Sequence, residues 1–128
     1  MDPIADMIVI LKNARASKKE SVVLPYSKLK FAILERLVKD GFIKSVSKKG
    51  KKAVKFIEVV MSYEDGKPRI SDIVRVSKTS KRIYLKNGEI KKVKNGFGAL
   101  ILSTSKGIMN DKSARSLKIG GEALFKIW

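Results

Sequence analysis

Residues 95–107 read Asn95-Gly96-Phe97-Gly98-Ala99-Leu100-Ile101-Leu102-Ser103-Thr104-Ser105-Lys106-Gly107. Four consecutive apolar residues, Ala99 to Leu102, follow a glycine pair and run into hydroxyls. That pattern predicts a short central strand, with the polar run Ser103–Gly107 as a loop at its end. The residues around it are strand-like as well. Ile70–Val76 and Arg82–Lys86 read as short strands, Asn87-Gly88 as a tight turn, and Ile90–Lys94 as a helical turn. Asn110 is placed to cap a short helix reaching about Leu117, and Gly120-Gly121 opens a last strand from Glu122 to Trp128.

The front half has a different period. Asp2-Pro3 is a helix start, and Ile4, Met7, Ile8 and Leu11 recur at helical spacing as far as about Ala14. Ser21–Leu24 is a β-branched run stopped by Pro25. Ser27 then caps a second helix with apolar positions Leu29, Ala32, Ile33 and Leu37, ended by Gly41. Phe42–Ser47 and Ala53–Tyr63 flank the basic run Lys48–Lys52 as a hairpin. The turn cluster Glu64-Asp65-Gly66-Lys67-Pro68 marks a boundary. The expected fold class is α+β in two small domains: an α-β-α-β-β module over 1–65 and a mainly β domain with a short helix over 66–128.

Charge narrows the partners. The 128 residues hold 29 Lys plus Arg against 12 Asp plus Glu, a net charge of +17. Residues 1–64 carry 14 basic and 7 acidic groups (+7), and residues 65–128 carry 15 and 5 (+10). A polybasic tail or membrane anchor would gather its charge in one block. Here the charge is spread over a chain whose 44% hydrophobic content is enough for a folded body. A small soluble domain needs a net charge of only about 2–8. The excess points to a polyanion, and nucleic acid supplies one through counterion release.

Several function classes drop out. With no Cys and no His, the chain has no disulfide, no thiolate zinc site, no imidazole base and no imidazole-held haem or copper. No apolar run approaches the roughly 20 residues of a membrane span. The acidic start, Asp2 and Asp6, is unlike a secretory signal, so export is not expected. Ser103 and Lys106 match Ser-x-x-Lys, but the companion Ser-Asp-Asn and Lys-Thr-Gly elements of acyl-enzymes are missing. Gly96-x-Gly98 precedes a strand instead of following one, which argues against a dinucleotide site. No carboxylate pair reads as a metal site, and no cofactor is expected.

The binding candidates each carry two readings. Ser103, Thr104, Ser105, Lys106 and Gly107 put three hydroxyls, an ammonium and a glycine at the end of a rigid strand. They suit phosphate, base-edge or 2′-OH contacts, or form an ordinary polar connection. Tyr84, between Arg82 and Lys86 on alternating positions, is a stacking surface or a half-buried strand tyrosine. Glu122 is a strand-entry residue, a group that orients the hydroxyl loop, or an acceptor for a base amino group. Phe31, Phe42, Phe56, Phe125 and Trp128 read as core.

Taken in order, these segments resemble the bacterial-type small-subunit ribosomal protein eight family. The likeness is carried by Asp2-Pro3-Ile4-Ala5-Asp6-Met7 with Asn13-Ala14, Pro25-x-Ser27-Lys28-Leu29-Lys30, and Gly41-Phe42-Ile43. It continues in Arg75-Val76-Ser77-Lys78, Arg82-x-Tyr84, Asn95-Gly96-x-Gly98, Ile101–Gly107 and Gly120-Gly121-Glu122 through Trp128. The resemblance implies a cytoplasmic, ribosome-associated protein that binds the central domain of 16S ribosomal RNA early in 30S assembly and is not an enzyme. It implies that Ser103, Thr104, Ser105, Lys106 and Gly107, with Tyr84 and Glu122 beside them, meet an irregular RNA helix. Asp2, Pro3, Lys12, Asn13, Ser27 and Lys28 would touch a neighbouring helix. Other implied partners are adjacent small-subunit proteins and, in some bacteria, an operon messenger RNA whose translation is repressed. A membrane partner is not expected, and the free protein is expected to be monomeric.

Overall fold

The computed structural model describes residues 2–128, which divide into two compact units: Pro3–Ser71, and Asp72–Trp128 together with Asp2. In the first unit the helical stripe forms α1 (Pro3–Ala16), which buries Ile4, Met7, Ile8, Leu11 and Ala14. Next come β1 (Ser21–Pro25), α2 (Lys28–Lys39), β2 (Ile43–Lys51) and β3 (Val54–Met61). The three strands make an antiparallel sheet in the order β1-β3-β2. α1 packs on β1 and α2, and α2 packs on β2. Ser27 caps α2 by accepting from the Lys30 N–H at 3.1 Å, and at its other end the Gly41 and Phe42 N–H groups close back on Val38 and Leu37. Ile33, Leu34 and Leu37 of α2 and Ile57, Val59 and Met61 of β3 are buried. Each such side chain contributes about 1.5–3 kcal/mol. Leu29, an expected apolar helix position, is 44% exposed because the apolar stripe of α2 narrows in its first turn.

The basic hairpin differs from expectation in its turn. β2 continues through Lys51, so only Lys52 and Ala53 lie outside the paired strands. The cluster expected as the domain boundary is itself a small hairpin, β4 (Tyr63–Glu64) with β5 (Lys67–Pro68). Asp65 and Gly66 take φ of +52° and +76°, the combination a tight two-residue turn requires. The first unit extends beyond this hairpin. The Arg69 N–H bonds to Ser62 O at 2.9 Å, and Arg15 Nε donates to the carbonyl of buried Ile70 at 2.9 Å.

The second unit is built on a five-stranded antiparallel sheet. Its strands are β6 (Ile73–Arg75), β7 (Tyr84–Leu85), β8 (Ala99–Thr104), β9 (Gly107–Asn110) and β10 (Gly121–Ile127). The order is β6-β10-β8-β9, and β7 shares the β6 edge of β10. Helix α3 (Asp111–Leu117) is capped by Asn110, whose Oδ1 accepts from the Ser113 N–H at 2.8 Å. The strands at 70–76 and 82–86 shorten to three and two residues, and short helical turns occupy Asn87–Glu89 and Lys94–Gly96. Ile90, Val93, Leu100, Leu102, Met109, Ala114 and Ala123 form one buried cluster. Asp111 is buried beside them and satisfied: it accepts from Leu100 N at 3.1 Å and from Arg115 Nη1 at 2.8 Å. Phe42 and Phe125 are core, whereas Phe31, Phe56 and Trp128 are only half-buried at the margins.

Candidate nucleic-acid interface

The expected loop at Ser103–Gly107 is a hairpin. Ser103 and Thr104 extend β8, Ser105 and Lys106 make the turn, and Gly107 opens β9, a strand that sequence reasoning missed. Apolar cross-strand pairing drives this change, because Met109 lies opposite Leu102 and both are buried. Thr104 organises the turn. Its Oγ1 accepts from the Lys106 N–H at 3.1 Å and donates to Gly107 O at 2.8 Å. Gly107 takes φ +105°, a conformation that excludes most side chains. Ser105 and Lys106 are consequently exposed on a turn held by three neighbouring groups.

Sheet register brings the remaining rear-half candidates together. Glu122 lies opposite Tyr84 on one side and opposite Ser103 on the other. Directly opposed residues of antiparallel strands project from the same face, so Tyr84, Glu122 and Ser103 form a row about 10 Å long. Tyr84 is 69% exposed, which rules out the half-buried reading and leaves its ring open to solvent. The opposite face carries Ala123, Leu102 and Met109, all buried. Gly121, one residue before Glu122, is required by close approach: a Cβ there would sit 2.4 Å from Ser103 O.

The acid has a specific partner. Glu122 Oε2 accepts from Arg82 Nη1 at 3.1 Å, and this contact, first as a hydrogen bond and then by charge, holds the guanidinium above its ordinary pKa. Arg82, cationic as any arginine is, stands at the edge of the row. The segment carrying it is pinned by Ser77, a fully buried residue whose role sequence reasoning did not identify. Ser77 Oγ accepts from the Ile83 N–H at 2.8 Å and donates to Ile83 O at 3.2 Å, while its own N–H bonds to Ala123 O at 3.0 Å. Pairing across six residues leaves no periodic signal, so only an expectation that Arg82 and Tyr84 need bracing could have singled Ser77 out.

The front-half candidates are carried by other elements. Asp2 belongs to the second unit, where its carboxylate takes Arg75 Nε at 3.2 Å and Nη2 at 3.3 Å. Arg75 also donates to Leu124 O at 2.6 Å. Pro3 is the exposed first residue of α1, and Lys12 and Asn13 are exposed on its outer face. Ser27 spends its acceptor on the α2 cap but keeps a hydroxyl proton to donate, and Lys28 beside it is exposed. Lys48, the obvious cation of the basic hairpin, stands 4.5 Å over the Tyr26 ring, which leaves Lys51, Lys52 and Lys55 as the exposed charges nearest the turn.

Among the described residues no group of three or more His, Cys, Asp or Glu could hold a metal ion, and no helix is long and apolar enough to cross a membrane. A basic α+β chain that displays an exposed aromatic, an anchored hydroxyl turn and a fixed Arg–Glu pair belongs to the class of proteins that work by binding. The comparisons narrow that class. The family described as Ribosomal protein S8 matches residues 2–128. Small ribosomal subunit protein uS8 of Dictyoglomus turgidum is 46% identical over 127 residues, covering 99% of this chain and 97% of that protein. The Kosmotoga olearia protein of the same name is 47% identical over 133 residues (99% and 98%), and that of Buchnera aphidicola is 46% identical over 123 residues (96% and 94%). The chain belongs to the ribosomal protein S8 family. It is a structural protein of the small ribosomal subunit, acting in translation and ribosome-associated, and it is not an enzyme.

Proposed function

We propose that this protein is a primary binder of the central domain of 16S ribosomal RNA and helps the subunit assemble. The observation that carries this reading is the Tyr84–Glu122–Ser103 row ending at the Ser105–Lys106 turn. Such a row offers a stacking ring, a hydrogen-bond acceptor and hydroxyl donors at fixed spacing. An irregular RNA helix, with splayed bases and 2′-hydroxyls in a shallow minor groove, presents the complementary groups. Pro3, Lys12, Asn13, Ser27 and Lys28 meet a second RNA helix, and Asp2 acts through the arginine it holds. Neighbouring small-subunit proteins pack against the assembled complex. Where the operon messenger RNA folds into the same irregular helix, the same row binds it and represses translation.

Binding then has two layers. Lysines spread over both units neutralise phosphates without reading sequence, and the row selects the site. With about 5–8 phosphates neutralised, log K falls with log salt at a slope of roughly −4 to −6. The test is competition between a 16S central-domain fragment and a scrambled RNA of equal length at physiological salt. Ser105→Ala is expected to weaken the cognate complex roughly 3- to 10-fold and leave the scrambled one nearly unchanged. Lys52→Ala is expected to weaken both equally. Equal losses on both RNAs from both substitutions would overturn the reading and leave a general nucleic-acid chaperone in its place.

A further inference from the structure

Three consecutive residues take left-handed backbone at Lys94 (φ +49°), Asn95 (φ +56°) and Gly96 (φ +94°). Two of them are not glycine, and L-residues seldom adopt that conformation. It persists here because both flanks are fixed. Val93 is buried in the second unit, and its carbonyl accepts from Gly96 N at 2.9 Å and from Gly98 N at 3.0 Å. Gly98 is packed so closely that a Cβ would meet Val93 Cγ1 at 2.7 Å and Ile127 O at 2.8 Å. Lys94 Nζ stands 4.6 Å above the Trp128 ring. Strain held by such anchors marks a place where the chain presents something.

What it presents is Phe97, 83% exposed, more so than any other large apolar side chain among the described residues. Its exposed neighbours on the N-terminal side are Lys91, Lys92, Lys94, Asn95 and Gly96. None of these is apolar and none is acidic, so the loop leading to the ring is cationic, with the half-buried Trp128 packed against Gly98 beside it. A protein partner would need a wider apolar patch to form a dry interface core. A single ring among lysines matches one unpaired base with phosphates on either side. The position is also separate from the row described above: β8 runs from Ala99 to Thr104 between them, which places Phe97 and Ser105 about 20 Å apart.

We propose that the Lys91–Phe97 loop is a second RNA site, in which one unpaired base stacks on Phe97 and the flanking phosphates lie against Lys91, Lys92 and Lys94. The site is independent of the Tyr84–Ser103 row, and its failure would leave that reading standing. It gives the second unit two grips on RNA, one at each end of its central strand. A single-stranded joint near a structured helix is the substrate such spacing fits.

The experiment uses the whole protein and a labelled oligouridylate about eight nucleotides long, too short to fold. Anisotropy gives the affinity, and the fluorescence of Trp128, the one tryptophan in the chain, reports binding beside Lys94. Strand binding is expected to change Trp128 emission. Phe97→Ala is expected to weaken it at least about 5-fold and to remove the emission change, and Phe97→Tyr to restore both. Lys91→Gln with Lys92→Gln is expected to reduce the salt slope by roughly 1.4. Val74→Ala, which trims an exposed apolar side chain elsewhere in the same unit, should bind like the parent. Parental binding and emission change in Phe97→Ala overturn the proposal, as does an equal loss in Val74→Ala. It is also overturned if Phe97→Ala keeps the strand but loses co-assembly with a neighbouring ribosomal protein, because the ring then serves a protein interface.

Discussion

Glu122 faces Ser103 directly across the β10–β8 ladder, and the same carboxylate accepts a hydrogen bond from Arg82. That acid fixes a guanidinium at the edge of the row. On the RNA-binding reading proposed above, its charge also repels phosphate backbones that lack the cognate shape. Glu122→Gln keeps the shape and removes the charge. Affinity for scrambled RNA is expected to rise roughly two- to five-fold while affinity for the central-domain fragment falls, a change in ratio read by the same competition assay.

Thr104 supplies both side-chain bonds that hold the Ser105–Lys106 turn. Thr104→Val keeps the volume and the β preference but loses the two bonds, at a cost of about 1–2 kcal/mol in denaturant unfolding. Thr104→Ser should retain them. Recognition of the central-domain fragment is expected to follow the hydroxyl: lost in the valine variant, kept in the serine variant. Equal RNA affinity in the two would mean that the turn needs no such brace.

Gly121 leaves no room for a methyl group, with Ser103 O 2.4 Å and Thr104 Cγ2 2.9 Å from its Cβ position. Gly121→Ala forces β10 away from β8, so stability and the row fail together. A loss of about 1–3 kcal/mol is expected from thermal unfolding, together with a drop in cognate RNA affinity larger than that of Ser105→Ala. Gly88→Ala, where the same position is open, is expected to unfold at nearly the parental temperature.

Ser77 is buried and its hydroxyl clasps both backbone groups of Ile83, next to Tyr84. Ser77→Ala strands the Ile83 N–H, while the Ile83 carbonyl keeps the Ala123 N–H at 2.9 Å, at a cost of about 1–3 kcal/mol. Hydrogen exchange should show the 82–85 segment, which includes β7, opening ahead of β8 and β10. Uniform loosening of the whole sheet would instead make Ser77 an ordinary core residue.

Local chemistry carried much of the architecture. The Ile4–Leu11 stripe, the Ser27 cap, the Gly41 stop and the Asn110 cap all appear where short-range rules place them, because each depends on residues within four or five positions. The errors share a cause. Ser103 and Thr104 read as loop because they are polar, yet they are strand, since Ile108 and Met109 supply the opposite side of the ladder. Strand 70–76 shortened because only Ile73–Arg75 find a partner in β10. The turn cluster at 64–68 reads as a boundary, but the chain after it stays with the first unit as far as Ser71, through Ser62, Arg15 and Ile70.

Charge balance, the absence of Cys and His, and the order of helical and strand periods were settled by composition and by spacing along the chain. They established a basic α+β binding protein without reference to distance in space. What folding alone decided is the company each residue keeps: Tyr84 beside Glu122 and Glu122 beside Ser103, separated by up to 38 positions in sequence and joined by cross-strand register. The left-handed arch that lifts Phe97 into solvent is likewise a product of packing at Val93 and Gly98. Register and close packing depend on which distant backbones meet, and periodicity along a single strand holds no record of that.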